Sequence, residues 1–185
     1  MKIIGIKLRE KRKLKRRYDS TSSFYDERYE DIQKRKFRTI KEEIKRAELV
    51  LDVGCGTGLF LGEISTQASF VVGVDFSFNM LKQAKKRFEG AGLVSADADN
   101  LPFLDGSFDL VVSLTLLQNM PDPERTILEM FRVTMPGGRV IVTSLKKKYS
   151  VDRIRDCMIS AGLEILRFGE IPDSEDFLCI GRRKK

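Results

Sequence analysis

The sequence predicts an α/β domain: a seven-stranded, mostly parallel sheet with helices on both faces, closed at one edge by an antiparallel hairpin. Three observations carry that prediction. Leu49–Val53 is a short apolar run that ends in Gly54-x-Gly56-x-Gly58, the spacing of a buried strand turning sharply into a helix. From there to residue 161, short β-branched runs alternate with stretches whose apolar residues recur at helical spacing. The last two apolar runs, 163–171 and 177–181, have no helical stretch between them and suit a hairpin.

At 185 residues the chain is long enough for one such domain and short for two. Residues 1–48 are expected to form a basic arm and helical cover, and residues 49–185 the sheet domain. The net charge of +7 lies entirely ahead of the glycine turn: residues 1–48 hold 17 Lys/Arg against 9 Asp/Glu, and the remainder 17 against 18. Lys7 to Arg17 is almost continuously basic. Such a run is either a solvated helix face or an arm that meets nucleic acid phosphates, with an anionic membrane surface a third reading. Phe24, Tyr25, Tyr29 and Ile32 form one candidate apolar stripe, and Phe37, Ile40 and Ile44 another. No apolar run is long enough to span a bilayer and the N-terminus has no cleavable apolar core, so a cytoplasmic protein with no membrane contact is expected. The cysteines at 55, 157 and 179 are odd in number and far apart, which suits reduced thiols and no metal site.

Beyond the turn, Leu59–Ser65 reads as a helix and Phe70–Phe76 as the second parallel strand, with Asp75 at its carboxyl end. An acid there, about 20 residues past the glycines, can accept hydrogen bonds from both hydroxyls of a ribose. Ser77 suits the N-cap of a helix whose Met80, Leu81, Ala84 and Phe88 face inward. A third strand opens at Gly92, a fourth is expected over Ser107–Leu117, and a helix over Pro121–Val133. Val140–Leu145 suits the fifth strand, and Val151–Ala161 a helix stopped by Gly162. Two ligand classes fail on spacing. No lysine follows the glycines as a phosphate-cradling loop requires, and Leu59 stands where a dinucleotide fingerprint needs its third glycine.

The run Asp52-Val53-Gly54-Cys55-Gly56-Thr57-Gly58 resembles motif I of the class I S-adenosylmethionine-dependent methyltransferases, a Rossmann-like family. Asp75, the stretch Gly92–Phe103 and the turn Pro136-Gly137-Gly138 resemble later family motifs in the same order, so the likeness spans Leu49 to Gly181. It implies S-adenosylmethionine as cofactor. By that resemblance the main chain at Gly54, Cys55, Gly56 and Gly58 packs against the amino acid end, and Asp52 helps hold its ammonium. Asp75 meets the ribose, and the adjoining Phe76 is expected among the cofactor-binding residues. Asp97 accepts from the adenine amine while the Ala98 N–H reaches a ring nitrogen, Asp99 replacing Asp97 if the register slips by two. Ligands in such sheets sit beyond the carboxyl ends of the strands, so Ser113 to Asn119, at the end of the fourth strand, is expected beside the transferable methyl. Tyr18 or Tyr25 is expected to touch the cofactor from the cover, although helix packing explains these aromatics as well.

The implied activity is methyl transfer from S-adenosylmethionine. No residue is assigned a catalytic role: the chain has no histidine, and Gln118-Asn119 stands where many relatives carry His-His. RNA is the favoured acceptor, through the basic N-terminal segment and Lys146–Lys148 beside the fifth strand, with a small metabolite as the alternative and a protein substrate after both. An activating protein partner is compatible with the same reading. The competing classes are a non-catalytic cofactor-binding subunit and a dehydrogenase.

Overall fold

The computed structural model describes residues 2–21, 36–45 and 47–185. Helix α1 (Lys2–Thr21) comes first, then helix α2 over 36–44. There follow β1 (Leu49–Val53), α3 (Leu61–Ser65), β2 (Phe70–Asp75), α4 (Phe78–Arg87), β3 (Gly92–Ser95) and β4 (Phe108–Leu114). A short 3₁₀ turn (Leu117–Asn119) leads to α5 (Pro123–Val133), β5 (Thr134–Leu145), α6 (Val151–Ser160), β6 (Leu163–Glu170) and β7 (Asp176–Arg183).

The strands form one seven-stranded sheet in the order β3-β2-β1-β4-β5-β7-β6. The pairings among β1 to β5 are parallel, and β7 runs antiparallel to β5 on one side and β6 on the other. Alternation along each strand divides the apolar residues between the two faces. Leu51, Val53, Val111, Val140 and Val142 point to the side covered by α5 and α6 through Ile127, Met130, Ile154 and Met158. Val50, Leu110, Val112 and Ile141 point to the other side, onto α2, α3 and α4. There Phe37, Ile40 and Ile44 are buried as their spacing predicts, and Phe37 stacks on Phe60 with ring centroids 4.8 Å apart. Burial on both faces is why these strands read as continuous apolar runs.

Caps set the helix boundaries. Ser77 Oγ accepts from the Met80 N–H at 3.2 Å, as predicted, and Ser150 Oγ accepts from the Arg153 N–H at 3.2 Å. α5 starts later than its apolar pattern predicts because Asp122 is the N-cap and Pro123 opens the first turn. β5 starts earlier, at Thr134, and runs through Pro136-Gly137-Gly138. It absorbs that sequence as an irregularity opposite Phe108–Leu110, with Gly137 at φ +85°. β4 stops at Leu114, three residues short of expectation, because the next residue turns into the left-handed region: Thr115 has φ +67°.

Candidate functional site

The strand order reverses direction at β1, which places a crevice between the carboxyl ends of β1 and β4. A cavity of about 790 Å³, open mouth included, lies over the carboxyl ends of β1 to β4. That is within the range of small-molecule sites, ~300–1,000 Å³. Gly54, Gly56, Asp75, Phe76, Ser77, Asp97, Ala98 and the segment after β4 line it.

Each glycine of the turn has its own reason. Gly54 (φ +81°) lies under Leu116, where an added Cβ would come within 3.1 Å of that side chain. Gly56 (φ +54°) faces open space, with nothing within 4 Å of where a Cβ would stand. Gly58 (φ +71°) is a packing glycine: a Cβ would lie 2.8 Å from the Ala84 Cβ of α4. The backbone at Gly56 is therefore bare toward the cavity, while Gly58 holds α4 against the turn.

Asp75 organises this end. Its Oδ2 accepts from the Gly56 N–H at 3.0 Å and its Oδ1 from the Ser77 N–H at 2.7 Å. Burial raises its carboxyl above the ordinary value despite those two bonds. Asp52, 4% exposed at the end of β1, is raised to about 7, first by burial and then by the charge of Asp75. Asp97 lines the cavity, whereas Asp99 bonds Thr126 of α5 through Oδ1, so the geometry favours Asp97 over the slipped register.

The basic segment is the roof of this cavity. Lys11, Leu14, Lys15 and Tyr18 form one face of α1 and line the space below. Lys11 is buried between Asp97 and Asp99, with Nζ 2.6 Å from Asp97 Oδ1. Lys15 pairs with Asp19 at 3.0 Å, Asp19 Oδ1 accepts from Ser77 Oγ at 2.5 Å, and Tyr18 OH accepts from Asn119 Nδ2 at 2.8 Å. The interleaving of Leu14 and Tyr18 with Lys11 and Lys15 at helical spacing was the signal for this inward face. Arg9, Arg12, Lys13 and Arg16 face outward.

The remaining expected residues take different places around the cavity. Of the stretch Ser113 to Asn119, Leu114, Thr115, Leu116 and Asn119 line the cavity, whereas Ser113 is fully buried within β4 and donates from Oγ to the Val53 carbonyl at 2.9 Å. Asp52, Cys55 and Gly58 do not line the cavity either; the Cys55 side chain packs against Gly73 of β2. Lys146 and Lys147 do not line it, being turned to Glu170 at 2.8 Å and Glu175 at 3.6 Å. Gln118 faces β5, accepting from Ser144 Oγ at 3.4 Å, while Asn119 lines the cavity. Tyr25 lies outside the described residues.

The sequence reading missed two polar clusters. Lys36 of α2 forms a buried ion pair with Asp176 of β7, and its Nζ donates to Thr115 Oγ1 at 2.8 Å. Arg132 of α5 braces the loop after β3, donating to the carbonyls of Leu101 at 2.9 Å and Phe103 at 2.8 Å, and to Asp105 at 2.8 Å. Its partner Glu129 accepts from the Leu101 N–H at 2.8 Å, and the hydrogen bond from Arg132 holds that carboxyl below its ordinary value.

The donor set fits an adenosyl sulfonium amino acid. Bare backbone at Gly56 can meet a charged amino acid end, Asp75 offers acceptors for a sugar, and Asp97 beside the Ala98 backbone offers an acceptor and donor pair for adenine.

The sequence model of the methyltransferase-domain family matches residues 51–142. A demethylmenaquinone methyltransferase of Paenarthrobacter aurescens is 34% identical over 142 residues, covering 70% of this chain and 56% of that protein. A phosphatidylethanolamine N-methyltransferase of Cereibacter sphaeroides is 40% identical over 113 residues, covering 58% and 55%. The chain thus spans a little over half the length of these curated relatives. A methyltransferase solved in complex with the Haloferax volcanii Trm112 activator superposes with a TM-score of 0.77 at 20% identity, covering 91% of this chain and 98% of that one. That last likeness is one of fold.

Proposed function

We propose that the chain, whose residues 51–142 match the methyltransferase-domain family, is an S-adenosylmethionine-dependent methyltransferase that transfers a methyl group from that cofactor to a small, largely apolar acceptor. One observation carries this reading: the glycine cradle, Asp75 and Asp97 are set around one cavity in the order of β1, β2 and β3. When bound, S-adenosylmethionine supplies a sulfonium whose methyl group is already electrophilic.

The chain's task is then to hold, orient and dry the reactants. Gly54 and Gly56 present main chain to the amino acid end, and Asp52 stands behind the turn at the end of β1. Asp75 holds the sugar and Asp97 the base. Leu14 from the roof and Leu114, Leu116 and Met120 from the opposite wall exclude water at the β4 end. Among the described lining residues no histidine is available as a base, so the acceptor must ionise readily or carry a lone pair.

The relatives support a small acceptor rather than RNA: they are named for quinone, phospholipid and acyl-carrier-protein substrates. The RNA reading keeps one supporting observation, the outward face of α1 with Arg9, Arg12, Lys13 and Arg16, while Lys11 and Lys15 turn inward. Among the described residues no helix is long and apolar enough to cross a membrane.

The test has two steps. Calorimetry with S-adenosylmethionine and S-adenosylhomocysteine is expected to give saturable binding; tight nicotinamide dinucleotide binding without it would establish a dehydrogenase instead. Labelled methyl is then offered to a short-chain demethylmenaquinol, to phosphatidylethanolamine vesicles and to bulk RNA, with and without clarified extract to supply an activating partner. Label in the quinol is expected. Label confined to RNA would replace the small-acceptor reading, and binding without transfer under any condition would leave a cofactor-binding subunit.

A further inference from the structure

Thr115 is an anomaly at the cavity wall. It follows β4 directly, lines the cavity, and holds φ +67°, a conformation that a β-branched residue rarely adopts. Strain of this kind persists only where the surroundings over-determine it. Here the surroundings are explicit. The Thr115 N–H donates to Thr143 Oγ1 at 3.0 Å, and Lys36 Nζ donates to Thr115 Oγ1 at 2.8 Å. Lys36 is in turn paired with Asp176, and these side chains are 2% and 0% exposed.

Stability gives no sufficient reason for that pair. Two buried charges cost more to desolvate than their attraction readily returns, and apolar replacements of similar volume are often neutral or better. Apart from the Lys36 ammonium, neither carboxylate oxygen of Asp176 has a hydrogen-bond partner among the described residues. The pair also joins residues from α2 and the start of β7 at the same carboxyl edge of the sheet as the cavity. What it touches there is the strained residue.

We propose that Lys36 and Asp176 are positioning residues: they brace Thr115 in its left-handed conformation and so shape the β4 end of the cavity, where the methyl group and its acceptor must meet. The proposal rests on the methyltransferase reading for what the cavity binds. Thr115 and Asp97 follow β4 and β3, three strand spacings apart in the sheet, so the brace acts at the end remote from the base. Without it, Thr115 relaxes to negative φ, the segment Thr115–Leu116 shifts, and Leu116 no longer lies over Gly54.

The experiment uses the double variant Lys36→Met/Asp176→Leu, which replaces the ion pair by apolar side chains and is expected to fold. Its affinity for S-adenosylhomocysteine is expected to fall ~10-fold or more, from the loss of a preformed wall. Adding Thr115→Gly is the decisive step, since glycine takes positive φ without a brace. Affinity should return to within about threefold of wild type. A merely structural pair would not be rescued by changing residue 115. Wild-type affinity in the double variant, or no recovery with Thr115→Gly, would overturn the proposal. If the wild-type chain binds no S-adenosylhomocysteine, the methyltransferase reading fails separately. The brace is then judged from a crystal structure of the double variant: Thr115 at negative φ supports it, and Thr115 still near +67° refutes it.

Discussion

Gly56 and Gly58 stand two residues apart in one turn, yet they answer to different demands. A methyl group at Gly58 meets Ala84 at 2.8 Å, whereas one at Gly56 points into open space. Gly58→Ala is therefore expected to lower the unfolding free energy by about 1–3 kcal/mol, from overpacking and positive φ together. Gly56→Ala should cost only the backbone term, about 1 kcal/mol, while weakening S-adenosylmethionine binding at least tenfold. Urea denaturation and calorimetry on the pair would separate the two roles, and equal effects on both quantities would count against them. Asp52 makes a second prediction. Its carboxyl titrates at about 7 in the folded protein, against about 4 in an unfolded chain. Between those values the folded state keeps a proton that the unfolded state has released, so stability declines as pH rises through that window. Asp52→Asn should flatten much of the decline, leaving the part due to Asp75, whose carboxyl is raised as well. The comparison is made by denaturant titration from pH 4.5 to 8, and an unchanged slope would contradict the assignment.

The elements carry what single residues do not show. α1 is a basic helix whose Lys11 sits between Asp97 and Asp99 as its central attachment to the site, while Lys15 pairs with Asp19 of the same helix. Lys11→Met would leave both acids without that cation, and α1 is expected to detach before the sheet loosens. Hydrogen exchange of the α1 amides should quicken several-fold while those of α5 stay unchanged. Uniform quickening would mean that α1 is integral to the core. The strands, the capped helices and the glycine turn were legible in the sequence because alternation, helical spacing and glycine density are local signals. The roof was half legible: the charge run was plain, but the inward turn of Lys11 depends on acids more than 80 residues away. Lys36 with Asp176, and Arg132 with the loop after β3, were not legible at all, because nothing in the flanking residues announces a partner on another element. The stretch Ser113 to Asn119 was legible as lying at this end of the sheet, but not which of its residues face the cavity: β4 carries the chain to Leu114 before it turns, so Ser113 is still inside the sheet.

For the molecule as a whole, two apolar layers on a single twisted sheet enclose all of its thiols. Cys55, Cys157 and Cys179 are buried, and burial raises each of them, Cys179 to about 12. An aromatic disulfide reagent at pH 8 should therefore react with the folded chain only at the rate of its opening, and with three thiols at once in denaturant. Fast reaction of a native thiol would reveal a layer less closed than described. The sheet's own order has a temporal consequence. β7 follows β6 in the chain but inserts between β5 and β6. A polypeptide that has left the ribosome only as far as Glu170 offers β6 nothing to zip onto, and β5 waits with a bare rim. The far third of the sheet must then assemble in one late event, when β7 arrives and delivers Asp176 to Lys36 in the same stroke.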